Sequence, residues 1–457
     1  MSIRKPKTAF LAAVTTAAVA LTLAGCGSSG AGDSAGTADG DATSNATGGE
    51  VTFRLWDEQA AEAYESALPA FEEKTGVKVK IEVIPWADYW NTLRNDIASG
   101  GAPDVFWTNS SNFSDYAQAG KLLNIDEALP DSDRADWVQA AVDQFTLDGT
   151  LWGVPALTDP GIGVFYNKDL TDAAGITEDQ LKDLAWDPTA ETDTLREVAA
   201  ALTLDSTGKT PTDAGFDPKK MVQFGYNAAL DTQAIYLNFL GSNGAQYQNA
   251  EGLMDFDTPQ GVQAFQYIVD LINKYYVAPS AADTNDNGDF SRDQFLQGKM
   301  GLFQSGSYNL ANIKDGADFE WGIVELPEGP KGRISVVNSV IAAGSTTAKN
   351  VEAQKALLEW IGGPEGGAAL GEPGVALPAN TTVQDTWSAF WKDQGVDVQP
   401  LIDVLANGSV GAPFGANIQG AMEAEQKALK EAFLGREDVA KAVAQAQEAG
   451  NKIIEQG

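Results

Sequence analysis

The sequence predicts an α/β protein with two α/β regions, its folded part beginning near Glu50. Three observations predict this. Short runs with a period of two recur at residues 51–55 and 77–83, and a third short apolar run sits at 104–107. Stretches with apolar residues at helical spacing lie between them. A second set of strand and helix patterns follows Gly153-Val-Pro-Ala-Leu-Thr-Asp-Pro160, a hinge-like segment.

Val51, Phe53 and Leu55 alternate with Thr52 and Arg54, as a half-buried strand requires. Tyr64, Leu68 and Phe71 then share one helical face, and Gly76 supplies a stop. Val77, Val79, Ile81 and Val83 alternate with Lys78, Lys80 and Glu82. Trp86, Tyr89, Leu93 and Ile97 mark a second helix, closed by Gly100-Gly101, and Asp104-Val-Phe-Trp107 gives a third strand. Strand–helix–strand–helix–strand within sixty residues reads as a parallel α/β layer. Beyond the hinge-like segment come a strand at 164–166, a strand near 221–226, helices near 232–240 and 258–275, and a strand near 299–303. Residues 350–361 and 416–449 read as helical, and the turn-rich, acidic stretch 171–220 reads as surface. No internal repeat is present.

Composition narrows the chemistry. The 457 residues carry 30 Lys plus Arg against 64 Asp plus Glu, a formal charge of −34. Such a surface repels nucleic acid and anionic lipid, which are bound largely through Lys and Arg. The chain has no His and one Cys. A Ser-His-Asp triad, a Cys-His pair, a His-ligated metal and an intrachain disulfide are therefore excluded. No cofactor is expected.

Residues 1–25 read as an export signal. Arg4, Lys5 and Lys7 precede an apolar stretch from Ala9 to Leu23, too short for a confident membrane span. Leu23-Ala-Gly-Cys26 resembles the lipobox of bacterial lipoproteins. The resemblance implies a diacylglycerol on Cys26, cleavage before it, and anchoring on the outer face of the cytoplasmic membrane through the lipid alone. Residues 26–49, almost entirely small and polar, read as a tether reaching on the order of 25 Å.

Ligands of open parallel sheets bind beyond the strands' carboxyl ends. Trp56, Asp57 and Glu58 fall there after the first strand, and Trp107, Asn109, Ser110 and Asn112 after the third. Each end offers an indole beside short polar groups. A pyranose presents C–H groups that pack on aromatic rings and hydroxyls that donate to carboxylates and amides. A phosphate would want Arg, Lys or a Gly-rich helix start, which these ends lack. The competing reading places both indoles in the core.

Several motifs then resemble the carbohydrate-binding family of extracellular solute-binding proteins, receptor components of ATP-driven importers. They are Phe71-Glu-Glu-Lys-Thr-Gly-Val-Lys-Val79, Gly101-Ala-Pro-Asp-Val-Phe-Trp107, Tyr116-Ala-Gln-Ala-Gly-Lys-Leu122, Phe165-Tyr-Asn-Lys-Asp-Leu170, Gln297-Gly-Lys-Met-Gly301 with Ser305-Gly-Ser-Tyr308, and Leu377-Pro-Ala-Asn380. The resemblance implies a periplasmic-binding-protein-like fold: two α/β lobes joined by a three-crossover hinge, with the ligand in the cleft. It places crossings near 155–160, 322–328 and 336–345. The first lobe then takes 50–157 plus about 326–338, and the second takes 158–325 plus about 339–457. It adds Asp159, Asp231, Gln233, Tyr236, Ser307, Tyr308 and Asn338 to the expected ligand site. Tyr308 stands where the family generally has Trp, and Asn338-Ser339 where it often has a Gly-rich pair. Importer permeases are the implied protein partners of a monomeric receptor without catalytic activity.

Other readings remain open. Asp57, Glu58, Asp159 and Asp231 also suit a carboxylate-based glycoside hydrolase. A receptor for a polyol or polyamine is a third reading. Asp283-Thr-Asn-Asp-Asn-Gly-Asp-Phe290 resembles the start of a calcium loop, but Gln294 stands where a bidentate Glu is required. An Asx/Gly turn before a helix is the simpler account.

Overall fold

The computed structural model describes residues 48–456. The expected export signal, Cys26 and all but the last two residues of the expected tether lie outside them.

The first lobe forms as the alternation dictates. Strand β1 (Gly49–Leu55) leads through the Asp57 cap into helix α1 (Glu58–Thr75). Gly76 ends that helix at φ 71°, a left-handed conformation that a Cβ would disfavour, and its N–H reaches Glu72 O at 2.8 Å. Strand β2 (Val77–Val83), helix α2 (Trp86–Ser99), strand β3 (Val105–Asn109) and the short helix α3 (Phe113–Gln118) follow. Strand β4 (Val154–Thr158) completes the run before the chain leaves for the second lobe, where β5 (Ile162–Asn167) begins.

The second lobe is built on β5. It lies between β6 (Leu302–Gly306) and β7 (Trp321–Glu325), antiparallel to both. Ile162, Val164 and Tyr166 face the larger core, while Phe165 faces a smaller one with Phe295, Phe303, Trp387 and Trp391. Burial on both faces explains why β5 is apolar without alternation. Helices α4 (Leu237–Ser242) and α5 (Pro259–Asn273) cover the larger core, and helix α6 (Leu310–Gly316) follows β6.

The return to the first lobe differs from expectation. Strand β8 (Ser335–Val337) belongs to the second lobe, with Val336 in its core, whereas β9 (Ser339–Gly344) inserts antiparallel between β3 and β4. The first-lobe sheet therefore runs β2-β1-β3-β9-β4. Helices α7 (Val351–Gly362) and α8 (Pro364–Gly371) add Leu357, Leu358, Trp360 and Leu370 to the same core. Assigning 326–338 to the first lobe and everything after 339 to the second is thus corrected. Residues 326–337 stay with the second lobe, and 339–371 join the first. No crossing occurs at 322–328, because β7 pairs with β5 and Leu326 sits in the second core. The crossings are 159–161, Asn338, and the segment between α8 and α9 (Gln384–Asp393).

Two further expectations are corrected. Residues 171–220 are not merely surface: Leu181, Leu184, Trp186, Leu195 and Leu202 enter the second core, and Arg196 is buried against Asp193 at 2.8 Å. The helix expected at 416–449 is two, α10 (Ile418–Phe433) and α11 (Val439–Ile454), broken around Gly435 at φ 68°. Strand β10 (Ser409–Gly411), which precedes them, pairs with β8. No helix among the described residues is long and apolar enough to cross a membrane.

Candidate functional site

The first-lobe sheet presents one edge toward the hinge crossings. The carboxyl ends of β1, β2, β3 and β4 and the amino end of β9 all lie there, since β9 is antiparallel to β3 and β4. In sheet order this edge carries Trp86, then Trp56-Asp57, Asn109-Ser110, Asn338 and Asp159.

At the hinge, three expected residues meet. Gln233 Nε2 donates to Asp159 Oδ2 at 2.7 Å, and Gln233 Oε1 accepts from Asn338 Nδ2 at 3.4 Å. The Asp159 N–H donates to Asn338 O at 2.8 Å, tying two crossings together. Gln233 belongs to a turn of π-helix, Thr232–Tyr236, capped by Asp231, whose Oδ1 accepts from Ala234 N at 2.8 Å. Single π-turns of this kind are rare and concentrate at functional sites. Burial pushes the Asp159 carboxyl up to about 7, against the pull of the Gln233 amide. Asp231 is raised by burial as well, against the N–H groups of Ala234 and Gln233. Tyr308 keeps 45% of its surface exposed. Its hydroxyl is pushed up chiefly by the surrounding protein, with smaller contributions from the charges of Asp231 and Asp159. Neighbouring Ser307 is buried.

Across the cleft, Trp56 and Asp57 are half-buried and Glu58 is exposed. Asp57 spends Oδ1 on Ala60 N at 2.8 Å as the cap of α1. Asn109, Ser110 and Asn112 are brought to the same edge but are covered. Asn112 Nδ2 donates to Asn109 Oδ1 at 2.8 Å, and the Ser110 hydroxyl finds no hydrogen-bond partner among the described residues. Their cover is a second-lobe strap. Ser111 Oγ donates to Pro413 O at 3.3 Å, Ser114 Oγ to Gly415 O at 2.6 Å, and Asn417 N to Asp115 Oδ1 at 2.8 Å.

Two expected ligand residues are instead core. Trp107 is 1% exposed, its ring 5.1 Å from Trp56 and 6.2 Å from Tyr64, and its carbonyl accepts from Tyr89 Oη at 2.7 Å. It has no face left for a ligand, because both sides of β3 are covered. Tyr236 is fully buried, accepting from Thr232 Oγ1 at 2.8 Å and donating to Glu425 at 3.0 Å. Its part is to hold the π-turn from behind. Burial raises the Glu425 carboxyl to about 7, despite hydrogen bonds from Tyr247 and Tyr236.

Sequence reasoning missed Trp86. Its spacing with Tyr89, Leu93 and Ile97 assigned it to the buried face of α2, yet it is 53% exposed. Pro85 is the signal that could have found it. It places Trp86 in the first turn of α2, just past the outermost strand of the sheet, where no neighbouring strand covers it.

A cavity of about 750 Å³ lies between the lobes. Gln59 and Glu62 of α1 line one wall, and Ala311 and Lys314 of α6 the other. It excludes Asp159, Asp231 and Tyr308, but its walls are the helices that start beside Asp57 and Tyr308. In the segment that resembles the start of a calcium loop, Asp286 pairs with Lys430 at 2.6 Å and Asp289 with Arg292 at 3.0 Å, so these carboxylates are directed at separate cations.

Two α/β lobes on short crossings, with an open ring and hydrogen-bonding side chains between them, define a hinged ligand-binding protein. A family model described as bacterial extracellular solute-binding protein matches residues 56–368, and the chain belongs to that family. It is similar to the maltodextrin-binding protein MdxE of Bacillus subtilis (strain 168), 26% identical over 333 residues, covering 72% of this chain and 73% of that relative. Among solved structures, UspC of M. tuberculosis is 46% identical with a TM-score of 0.73, covering 88% of this chain and 100% of that one. The GacH receptor of Streptomyces glaucescens GLA.O, solved unliganded and with acarbose, shares the fold at 22% identity and a TM-score of 0.73, covering 89% and 99%.

Proposed function

We propose that this protein is the sugar-capturing receptor of an ATP-driven importer and that its ligand is an oligosaccharide. The observation that carries the reading is the hydrogen-bonded hinge cluster of Asp159, Gln233 and Asn338, with the exposed Tyr308 ring following β6 in the second lobe. A pyranose stacked on that ring would direct its hydroxyls toward carboxylate and amide acceptors. Trp56, Asp57 and Glu58 would meet it from the first lobe, so closure would add contacts that the open form lacks, and only such differential contacts can drive closure. Relatives named for maltodextrin, arabinooligosaccharide and galactooligosaccharide binding support a sugar of more than one ring. Cleavage before Cys26 and its lipidation would leash the receptor to the membrane, where the importer's permease subunits would take the ligand from the closed form.

The test is thermal-shift screening of the mature chain against glucose-, galactose- and N-acetylglucosamine-based saccharides of one to four rings, followed by calorimetry. Micromolar or tighter binding of at least one saccharide, recovered intact by chromatography, is the expected result. Release of shortened products would favour the hydrolase reading. Binding of spermidine but of no saccharide would replace the sugar reading altogether.

A further inference from the structure

The most exposed large apolar side chain at the sheet edge is Trp86, and nothing above gives it a part in recognition. Its ring meets Trp56 at 5.3 Å and 77°, and Trp90 at 5.2 Å and 88°. Both contacts are edge-to-face, so the indole is braced in place while more than half its surface stays open. Trp56 is braced in turn by Tyr89 and Trp107 at 5.1 Å each, which anchors the exposed ring through the lobe's core. A large apolar ring held rigid at a rim, instead of folded onto the surface, is ready to stack without losing side-chain freedom.

Position gives the ring its meaning. Trp86 follows β2, the outermost strand, and Asp159 follows β4 at the opposite margin of the same sheet. Four strand spacings separate these margins, roughly 19 Å at the usual interstrand distance. A pyranose ring is about as long as one such spacing. The distance from hinge to rim therefore matches three or four linked rings and is far too long for a single sugar.

We propose, resting on the sugar reading above, that Trp86 forms a distal subsite for the ring farthest from Asp159. The receptor's ligand is then a linear oligosaccharide of three or four units. Tyr308 and the hinge carboxylates hold one terminal ring, Trp86 measures length at the other end, and the 413–417 strap over the end of β3 lifts as the lobes open to admit the rings between them.

The experiment is calorimetric titration of the mature wild type, Trp86→Ala and Trp86→Tyr with one- to four-ring members of the saccharide series. The wild type should gain affinity through the third ring. Trp86→Ala should lose about tenfold for three- and four-ring ligands and stay within about twofold for one- and two-ring ligands. Trp86→Tyr, which keeps an aromatic face, should recover most of the loss. An equal loss at every length, or none at four rings, overturns the distal subsite while leaving the sugar reading intact. Failure of every saccharide to bind the wild type overturns both. A melting temperature for each variant within a few degrees of the parent secures the comparison.

Discussion

Gln233 of the second lobe donates its Nε2 hydrogen to Asp159 Oδ2, 2.7 Å away, in the first crossing between the lobes. The acceptor belongs to a hinge and the donor to a π-turn, so the bond ties the moving joint to the recognition turn. A sugar hydroxyl arriving at Asp159 would join or replace that amide.

Asp159→Asn should therefore weaken saccharide binding tenfold or more, since hydrogen bonds to an ionised acceptor are worth about 1.5–3 kcal/mol. Burial has raised the wild-type carboxyl to about 7, so the ionised acceptor is depleted below neutrality. Calorimetry at pH 6 and pH 8 should give tighter binding at pH 8 for the wild type and little difference for Asp159→Asn. The same elevation means that the unliganded wild type loses stability as pH rises from the ordinary carboxylate range to about 7. The unliganded variant should therefore melt higher than the wild type at pH 8.

Glu425 tests the support behind the site. It is fully buried, and its folded-state carboxyl is raised to about 7 from an unfolded value near 4.5. Between those values the native state holds a proton that the unfolded chain has released, so stability falls as pH rises through the window. The loss should be on the order of a few kcal/mol between pH 5 and pH 8. Glu425→Gln should flatten that fall in urea titrations, leaving the part contributed by Asp159. An unchanged slope would show that Glu425 does not titrate as described.

Trp107→Ala should destabilise the protein by about 3–5 kcal/mol, the cost of emptying a buried aromatic site. Trp107→Phe should retain saccharide affinity within about threefold, because the ring touches no accessible surface. A selective loss of binding at full stability would restore Trp107 to the site.

These outcomes mark what the sequence could and could not convey. The period-two runs and their glycine stops located β1 through β3, because local sterics and one buried face decide those elements. Asp159, Asp231 and Gln233 were reached through family motifs, and the structure brings them together. The fate of each indole depended on neighbours distant in sequence. Trp107 packs against Trp56 and Tyr64 on a strand made central by β9, which returns more than two hundred residues later, and Trp86 is left open because β2 has a neighbour on one side only. The lobe assignment after residue 326 failed for the same reason. β8 and β9 are separated by one residue, and only long-range pairing sends them to different lobes.

The strap at 413–417 offers a test of the hinge itself. Ser114 donates to Gly415 O at 2.6 Å and Asp115 accepts from Asn417 N at 2.8 Å, both bonds running between lobes without any ligand. Asn417 holds φ 57°, a left-handed conformation that Asn tolerates better than most residues, so the strap is shaped for this contact. Each bond contributes about 1 kcal/mol, and losing both should shift the equilibrium toward the open form by about 2 kcal/mol, or roughly thirtyfold. Ser114→Ala with Asp115→Ala should therefore enlarge the radius of gyration of the unliganded protein in small-angle X-ray scattering. Saturating saccharide should restore the compact value, because ligand contacts at Asp159, Tyr308 and Trp56 can replace those of the strap. The apparent affinity should drop by no more than the same factor, since binding must supply the closure that the strap supplied before. Scattering curves that superpose on the parent, with and without saccharide, would mean the strap has no hold on the lobes.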